Sequence, residues 1–363
     1  MRETKMRLIM WYLLLGLFIL FCLTPALAFA APFAYIANSA SNNVSVIDTA
    51  TNMVVDTITV GNHPDGVAVN PSGTRVYVTN WDSNDVSVID TSTNTVIATI
   101  GVGTHPNTIA VNPDGTRVYV TNASTNNVSV IDTATNTVIG PPITVGVQPY
   151  AIVVTPNNLR VYVANYSDDT VSVINTATNT VIGTITVGNA PRGLAVNPSG
   201  TRVYVSNNGF NTVSVISTAT NSVIDTITVG NAPYGIAVNS AGTRAYVAHL
   251  NSDDVYVINT ATNTVVGSPI NLGGRLIGIS ITPDGTRVYV ANFDGDNVSV
   301  INTATNAVIA TIPVGTEPVS LGIFIAQPNV GIPTMNEWGM IIFVVLAGLG
   351  AVFYLRRSKR AES

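Results

Sequence analysis

The sequence predicts an all-β chain folded as a seven-bladed β-propeller of four-stranded antiparallel blades, and three observations predict it. First, Tyr35, Tyr77, Tyr119, Tyr162, Tyr204, Tyr246 and Tyr289 each open a near-copy of Tyr-Val-x-Asn, at spacings of 42, 42, 43, 42, 42 and 43 residues. A fixed period near 40 marks a repeat architecture and overrides the two or three domains that 363 residues would suggest. Second, each period holds four short runs of strand-forming residues divided by turn signals, the content of one propeller blade. Third, the ends complement each other. The first copy starts at its second strand, at Phe33, and the last is followed by an extra segment, residues 319–325, in the first-strand position. That segment is expected to pair into blade one and close the ring, which removes edges that would otherwise template aggregation.

The repeat from Pro64 shows the elements in order. Asp65 to Asn70 reads as a short first strand, and Pro71-Ser72-Gly73-Thr74 as a turn, since Pro presets one corner and Gly takes positive φ freely. Arg75 to Asn80 alternates as a second strand, Trp81 to Asp85 is a polar loop, and Val86 to Asp90 is a third strand. Thr91 to Asn94 turns, Thr95 to Ile100 is a fourth strand, and Gly103-Thr104-His105-Pro106 leads into the next copy. Abundant Val and Thr suit pleated structure, because β-branched side chains are stiff and pack well on it.

Charge is sparse and segregated. Residues 31–331 hold eight Arg and no Lys against sixteen Asp and one Glu, a net −9, while the other basic residues lie at the two ends. An acidic, lysine-free body is a poor partner for a phosphate backbone. The one cysteine, Cys22, lies in the N-terminal apolar run and leaves the body without disulfide or thiolate chemistry.

Both ends read as an address. Arg2, Lys5 and Arg7 precede an apolar run, Pro25 breaks it, and Ala28-Phe29-Ala30 places small residues at Ala28 and Ala30. This predicts a signal peptide over residues 1–30, cut by signal peptidase. The propeller is expected over 31–327, a linker over 328–339, a short membrane segment over 340–355 and a basic cytoplasmic tail over 356–363. Ile332-Pro333-Thr334-Met335-Asn336-Glu337-Trp338-Gly339, followed by the short span and basic tail, resembles the IPTL-type C-terminal sorting signal of Gram-negative bacteria. Met335 and Asn336 depart from its usual Leu and Ser. The resemblance implies an exosortase-like protease that reads Ile332, Pro333, Thr334, Glu337, Trp338 and Gly339 and removes the tail. The protein is then exported to the cell surface or beyond it, after transient anchoring in the inner membrane.

From Phe33 to about Ile325, the Tyr-Val-x-Asn strand, the Asn-Pro-Asp/Ser-Gly-Thr-Arg turn and the Val-Gly-x-x-Pro linker resemble the YVTN-type β-propeller repeat proteins. The resemblance implies a surface or exported binding protein. It brings no catalytic residues with it.

The copies also compare with one another. Arg75, Arg117, Arg160, Arg202, Arg244 and Arg287 recur after the first turn, which marks them as structural and predicts pairing with an Asp of a neighbouring blade. Asp48, Asp90 and Asp132 share their place with Asn and Ser and read as turn-formers. The linker into each first strand and the loop after each Tyr strand diverge, and both should open on one face. His63, Asp65, Trp81, His105, Asn107, Tyr150, Tyr166, Arg192, Tyr234, Arg275 and Phe293 fall there. They are rich in the aromatic and Arg types enriched at binding hot spots, so this rim around the channel mouth is the candidate ligand site.

Dedicated chemistry is harder to find. His63 and His105 hold equivalent sites in adjacent blades, close enough that the rings could approach each other, with Asp65 close in sequence, but a third metal ligand is not evident. Asp168-Asp169, Asp253-Asp254 and Asp294-Gly295-Asp296 suit Ca²⁺ by type but lack EF-hand spacing. No Gly-x-Ser-x-Gly turn or phosphate loop is present. The sequence therefore predicts a monomeric, cofactor-free, non-enzymatic binding module for a protein or glycan. A metal-dependent lactonase-like hydrolase and a nucleic-acid-binding propeller are the alternatives.

Overall fold

The computed structural model describes residues 32–325, and within them the repeats fold as seven antiparallel sheets. Blade 2 is typical. Its strands Pro64–Val69, Arg75–Asn80, Asp85–Asp90 and Thr95–Gly101 pair in sequence order from the axis outward. Blades 4, 5 and 7 repeat this order. The boundaries expected from the sequence hold within a residue or so.

Blades 3 and 6 differ at the outermost strand, which splits into Thr137–Val138 with Ile143–Thr144, and Thr264–Val265 with Ile270–Asn271. These are the copies that precede the two 43-residue spacings, and their one extra residue falls at Gly140-Pro141-Pro142 and Gly267-Ser268-Pro269, which break the ladder. Pro cannot donate to a ladder, so the interruption sits where pairing is lost most cheaply, on an edge.

Ring closure occurs through the C-terminal segment. Tyr35 N–H donates to the Phe324 carbonyl at 2.9 Å and Val319 N–H to the Ala37 carbonyl at 2.9 Å, while the Ala37 N–H bonds Ser320 Oγ at 2.7 Å. Isolated bridges Ala34↔Ile325 and Asn38↔Pro318 replace the continuous strand expected over 319–325. Left-handed φ at Ser320 (48°) and Gly322 (114°) bends the segment between them. Blade 7 also locks onto blade 1 at the far end, where Tyr289 Oη donates to Asn52 Oδ1 at 2.7 Å and Arg287 to the Thr49 carbonyl.

The core lies between blades. One cluster joins Tyr77, Val86 and Val88 of blade 2 to Ile109, Val118 and Val120 of blade 3, and each neighbouring pair repeats the arrangement. All seven repeat tyrosines are at most 1% exposed.

The recurring arginines are structural, but their partners differ from the expected aspartates. Arg117 donates to the Thr176 carbonyl of the next blade at 3.2 Å and Arg202 to that of Thr260 at 2.6 Å, and Arg160 reaches the Thr218 carbonyl in the same way. Of these arginines Arg75 alone makes an ion pair, with Asp90 directly opposite it in its own blade, whereas Arg117, opposite Asp132 in the same register, bonds the Thr176 carbonyl instead. The outer turns offer carbonyls at every blade and an Asp at only three, so the carbonyl is the partner that can repeat.

The expected signal peptide with Ala28 and Ala30, the sorting motif and the membrane segment all lie outside the described residues. Among the described residues no helix is long and apolar enough to cross a membrane.

Candidate functional site

The two divergent loops of each blade do share a face, and a backbone bond explains why. In all seven blades the residue after the Tyr-Val-x-Asn box donates its N–H to the linker residue before the first strand. Trp81 bonds His63 (2.8 Å), Ala123 bonds His105, Tyr166 bonds Gln148, Asn208 bonds Ala190, Leu250 bonds Ala232, Phe293 bonds Arg275 and Ser39 bonds Glu317. A second bond links successive blades. The linker N–H of His63, His105, Gln148, Ala190, Ala232 and Glu317 is held by the side chain of Asn42, Asn84, Asn126, Asp169, Asn211 and Asp296. The varied residues supply only backbone to this frame, which we call the linker face.

A register shift just past each first-strand Pro lifts the next side chain out of the ladder. It falls between Pro64 and Val67, Pro106 and Ile109, Pro149 and Ile152, Pro191 and Gly193, Pro233 and Ile236, and Leu276 and Ile279. Bulges re-aim side chains in this way. Asp65, Asn107, Tyr150, Arg192, Tyr234, Ile277 and Val319 therefore form one ring around the axis.

The bulge is pinned by residues whose role the sequence did not reveal. Thr79 Oγ1 accepts from Gly66 N–H (2.7 Å) and donates to the Asn107 carbonyl of the next blade (2.6 Å). Thr121 does the same for Thr108 and Tyr150, and Ser206 for Gly193 and Tyr234. The x position of Tyr-Val-x-Asn alternates between Ala and hydroxyl residues, which was the available signal. Gly66 and Gly193 follow from the same approach: a Cβ there would collide with the carbonyls of Asn107 and Tyr234.

The ring divides into three parts. On the acidic side, Asn107 Nδ2 donates to Asp65 Oδ2 at 3.2 Å. Burial raises the Asp65 pKa to about 7, Asp82 adds to the shift, and the Asn107 bond opposes it. Opposite lies a cationic cage. The Arg192 guanidinium sits 4.3 Å from the centroids of both Tyr150 and Tyr166 and 4.9 Å from Tyr234, and donates to Tyr234 Oη at 3.0 Å. Burial pushes the Tyr234 hydroxyl pKa up strongly. The third part is apolar: Tyr234, Ile277, Val319 and Leu321, with Leu250 and Phe293 packed on them.

Other predicted residues gather outside the ring. Trp81 stacks on His105, centroids 4.7 Å apart and planes at 11°, and His105 Nδ1 bonds Ser124 Oγ at 2.7 Å. His63 Nδ1 lies 3.5 Å from Asp82. The two histidines thus have different side-chain partners. Arg275 forms a forked pair with Asp294 and lies 4.5 Å from the Phe293 ring centroid. The structure brings Tyr150, Tyr166, Arg192 and Tyr234 together, Asp65 with Asn107, and Trp81 with His105. Arg275 and Phe293 form a separate pair.

Among the described residues, no three His, Cys, Asp or Glu side chains converge as a metal site. Five of the six aspartates considered for Ca²⁺ already accept from protein donors: Asp168 from Val147 N–H, Asp169 from Ala190 N–H, Asp254 from Ser252 Oγ, Asp294 from Arg275 and Asp296 from Glu317 N–H. Blade 6 carries a paired exchange. His249 and Tyr256 stand where other blades hold Asn and Ser, and their rings meet edge-on at 4.7 Å. Burial lowers the His249 pKa to about 4.

Residues 90–185 and 132–223 match the family described as Lactonase, 7-bladed beta-propeller, which is less than half of the chain. No curated protein matches the sequence. Among solved structures, hydrazine synthase of Kuenenia stuttgartiensis is similar at TM-score 0.65 and 22% identity, over 71% of this chain and 88% of that one. A functionally unknown protein from Desulfotomaculum acetoxidans DSM 771 is similar at TM-score 0.71 and 19% identity, over 82% and 100%. Dihydro-heme d1 dehydrogenase NirN is similar at TM-score 0.61 and 14% identity, over 80% and 74%. At these identities the likeness concerns the fold.

Proposed function

We propose that this β-propeller is an exported binding module that holds its partner on the linker face and does no chemistry on it. One observation carries the reading: in every blade the linker residue and the residue after the Tyr-Val-x-Asn box are joined through backbone atoms, which leaves the choice of side chain at these places open to a partner. Their types, with Trp81, Tyr166 and Phe293 partly exposed beside Arg275, are those of interface hot spots. The resemblances to YVTN-type repeats and to an IPTL-type sorting signal support export and processing at both ends.

A second reading has its own support. The match of residues 90–223 to a lactonase family favours a hydrolase, for which Asp65, buried and with a pKa near neutrality, is the strongest candidate base. One preparation separates the two. Mature protein is recovered from cell fractions, its intact mass is read for loss of residues 1–30 and of the tail, and it is assayed for attachment to cell-envelope glycan and protein fractions. Trp81→Ala with Phe293→Ala is expected to weaken attachment more than tenfold while a cooperative melting transition is retained. Attachment indifferent to both substitutions overturns the binding reading. Lactone turnover abolished by Asp65→Asn supports the hydrolase in its place.

A further inference from the structure

Arg192 is the linker-face arginine with no acid beside it. The other, Arg275, is neutralised by its forked bond to Asp294. Among the described residues Arg192 takes part in no ion pair. Burial works against its charge, and the groups that support the charge are Tyr234, Tyr150 and Tyr166, not a carboxylate. Acids elsewhere on this face are committed. Asp168 accepts from Val147 N–H, Asp169 from Ala190 N–H and Asn189 Nδ2, and Asp65 is buried against Asn107. A guanidinium held over tyrosine faces keeps its charge without gaining a neutralising partner.

The cage leaves donors uncovered. Nη1 of Arg192 donates to Tyr234 Oη at 3.0 Å, whereas Nη2 makes no hydrogen bond and is not among the buried unpaired atoms. The same holds for Tyr150 Oη and Tyr166 Oη, while Tyr119, Tyr204 and Tyr246 keep unpaired hydroxyls buried. Arg192, Tyr150 and Tyr166 are each half-buried. One guanidinium nitrogen and two phenolic hydroxyls therefore reach solvent around a single uncompensated charge. They do so on the linker face, where Tyr166 N–H is tied to the linker carbonyl of Gln148.

A lone carboxylate suits this site. It accepts from guanidinium and hydroxyl donors together, and its one charge matches the one free cation. A phosphate backbone would bring many charges to a net −9 body. The surroundings indicate what carries the carboxylate. The ring's aliphatic members, Ile277 and Val319, are buried with Leu321. Beside the cage stand Gln148, Ser167 and Asn208, neutral hydrogen-bonding groups that are at least partly accessible. Tyrosine rings with an apolar body and a polar tip, set among such groups, match a chain of hydroxyl-rich rings better than an aliphatic anchor.

We propose that the Arg192 cage holds the carboxylate of a uronic-acid unit in an acidic glycan, with the Tyr150 and Tyr166 hydroxyls bonding the same unit. The inference rests on the linker-face binding reading and narrows its partner to one class.

Protein recovered from the cell fractions is titrated calorimetrically with short oligomers of galacturonate, mannuronate and glucuronate, each against its methyl ester. Expected is saturable binding of at least one acid, about tenfold or more tighter than its ester, the scale of a hydrogen bond to a charged group. Arg192→Gln should abolish that preference. Arg192→Lys, which keeps the charge but not the planar fork, should restore it only in part. Inorganic phosphate at the same concentration should not displace the sugar acid. The proposal is overturned if no oligouronate binds, if acid and ester bind equally, if Arg192→Gln binds as the native protein does, or if phosphate displaces the sugar acid. Should Arg192→Gln not fold, the acid–ester comparison on the native protein still decides. Trp81-dependent attachment that persists while no oligouronate binds removes the acidic glycan and leaves the binding module standing.

Discussion

The linker face and the turn face of this propeller are built from the same repeat by opposite means. On the turn face, side chains carry the geometry. The Thr that opens the outer turn donates its hydroxyl to a Gly carbonyl eighteen residues earlier in five blades, as Thr91 does to Gly73, Thr133 to Gly115, Thr218 to Gly200, Thr260 to Gly242 and Thr303 to Gly285, and to the carbonyls of Pro32 and Asn158 in the other two. Asn52, Asn94, Asn136, Asn179, Asn221, Asn263 and Asn306 take the left-handed turn corner in all seven blades, a conformation Asn tolerates better than most residues. On the linker face the corresponding bonds run from backbone to backbone, or from the backbone N–H of the varied residue to an Asn or Asp side-chain oxygen. A residue that gives the fold only its N–H and C=O can be His, Gln, Ala or Glu. The turn face is constant because it is structural in its side chains, and the linker residues are variable because this frame uses only their backbone.

Ring closure binds both faces, and breaking it has the largest expected effect. Phe324 and Ile325 are essentially buried, and the segment completes the inner edge of blade 1 while bonding Val67 and Val69 of blade 2. Deleting residues 318–363 strips the innermost strand from one blade and opens two neighbouring sheets. Losing one buried Phe alone costs about 3–5 kcal/mol, against a typical total of about 5–15 kcal/mol. The truncated chain is expected to lose its cooperative thermal transition by circular dichroism. A transition within a few degrees of the full chain would show that closure is dispensable.

The next effect concerns the two places where variation has put an ionisable group inside. Asp65 holds its proton to about pH 7 in the folded state, against 3.8 ordinarily. Between those values the folded state binds more protons than the unfolded one, so this stabilisation falls as pH rises through the window. His249 works the other way. Its folded pKa of about 4 lies below the ordinary 6.5, so stability is lost as pH falls through that interval. Three units correspond to about 4 kcal/mol as a ceiling. Asp65→Asn should therefore raise the melting temperature at pH 8 and change it little near pH 4. His249→Asn, the residue of the other six copies, should flatten the acid limb from pH 6.5 to 4. Parallel melting curves for all three proteins across pH 4–8 would mean that neither group titrates as the burial implies.

Much of this was legible in the sequence because repetition amplifies weak signals. One Asn-Pro-Ser-Gly-Thr-Arg turn is unremarkable, but two copies and four variants of it at a fixed period define strand boundaries to a residue, and the missing strand at Phe33 with the surplus at 319–325 fixes closure. The division into faces was legible for the same reason. The groupings on the linker face were not. That Arg192 would enter a cage of three tyrosines depends on the bulge after Pro191 and on blades 4 and 6 lying on either side of blade 5, neither of which leaves a mark in composition. The arginine partners were misjudged for a related reason: the outer-turn Asp is visible in the sequence, whereas a Thr carbonyl is present at every residue and marks nothing. The x position of Tyr-Val-x-Asn did carry a signal, since Thr79, Thr121 and Ser206 bridge blades and Ala164 cannot. Its meaning required knowing which carbonyl the next blade presents.

The finest test sets one side chain from each face side by side. Thr218 donates to the Gly200 carbonyl at 2.7 Å on the turn face, and its own carbonyl receives Arg160. Thr218→Val keeps the shape and removes only the hydroxyl, so the Gly200 carbonyl loses its donor while the Arg160 bond survives. The expected loss is about 1 kcal/mol. Gln148 holds the equivalent structural importance on the linker face, with left-handed φ of 55° and two backbone bonds, to Asn126 Oδ1 and from Tyr166 N–H. Its side chain adds one exposed bond, from Ser167. Ala190 and Ala232 already take the same backbone conformation in other blades. Gln148→Ala should therefore lie within about 0.5 kcal/mol of the native protein. Urea denaturation at constant m-value resolves a difference of this size. Equal losses in the two variants would show that side chains carry both faces, and the freedom claimed for the linker face would disappear.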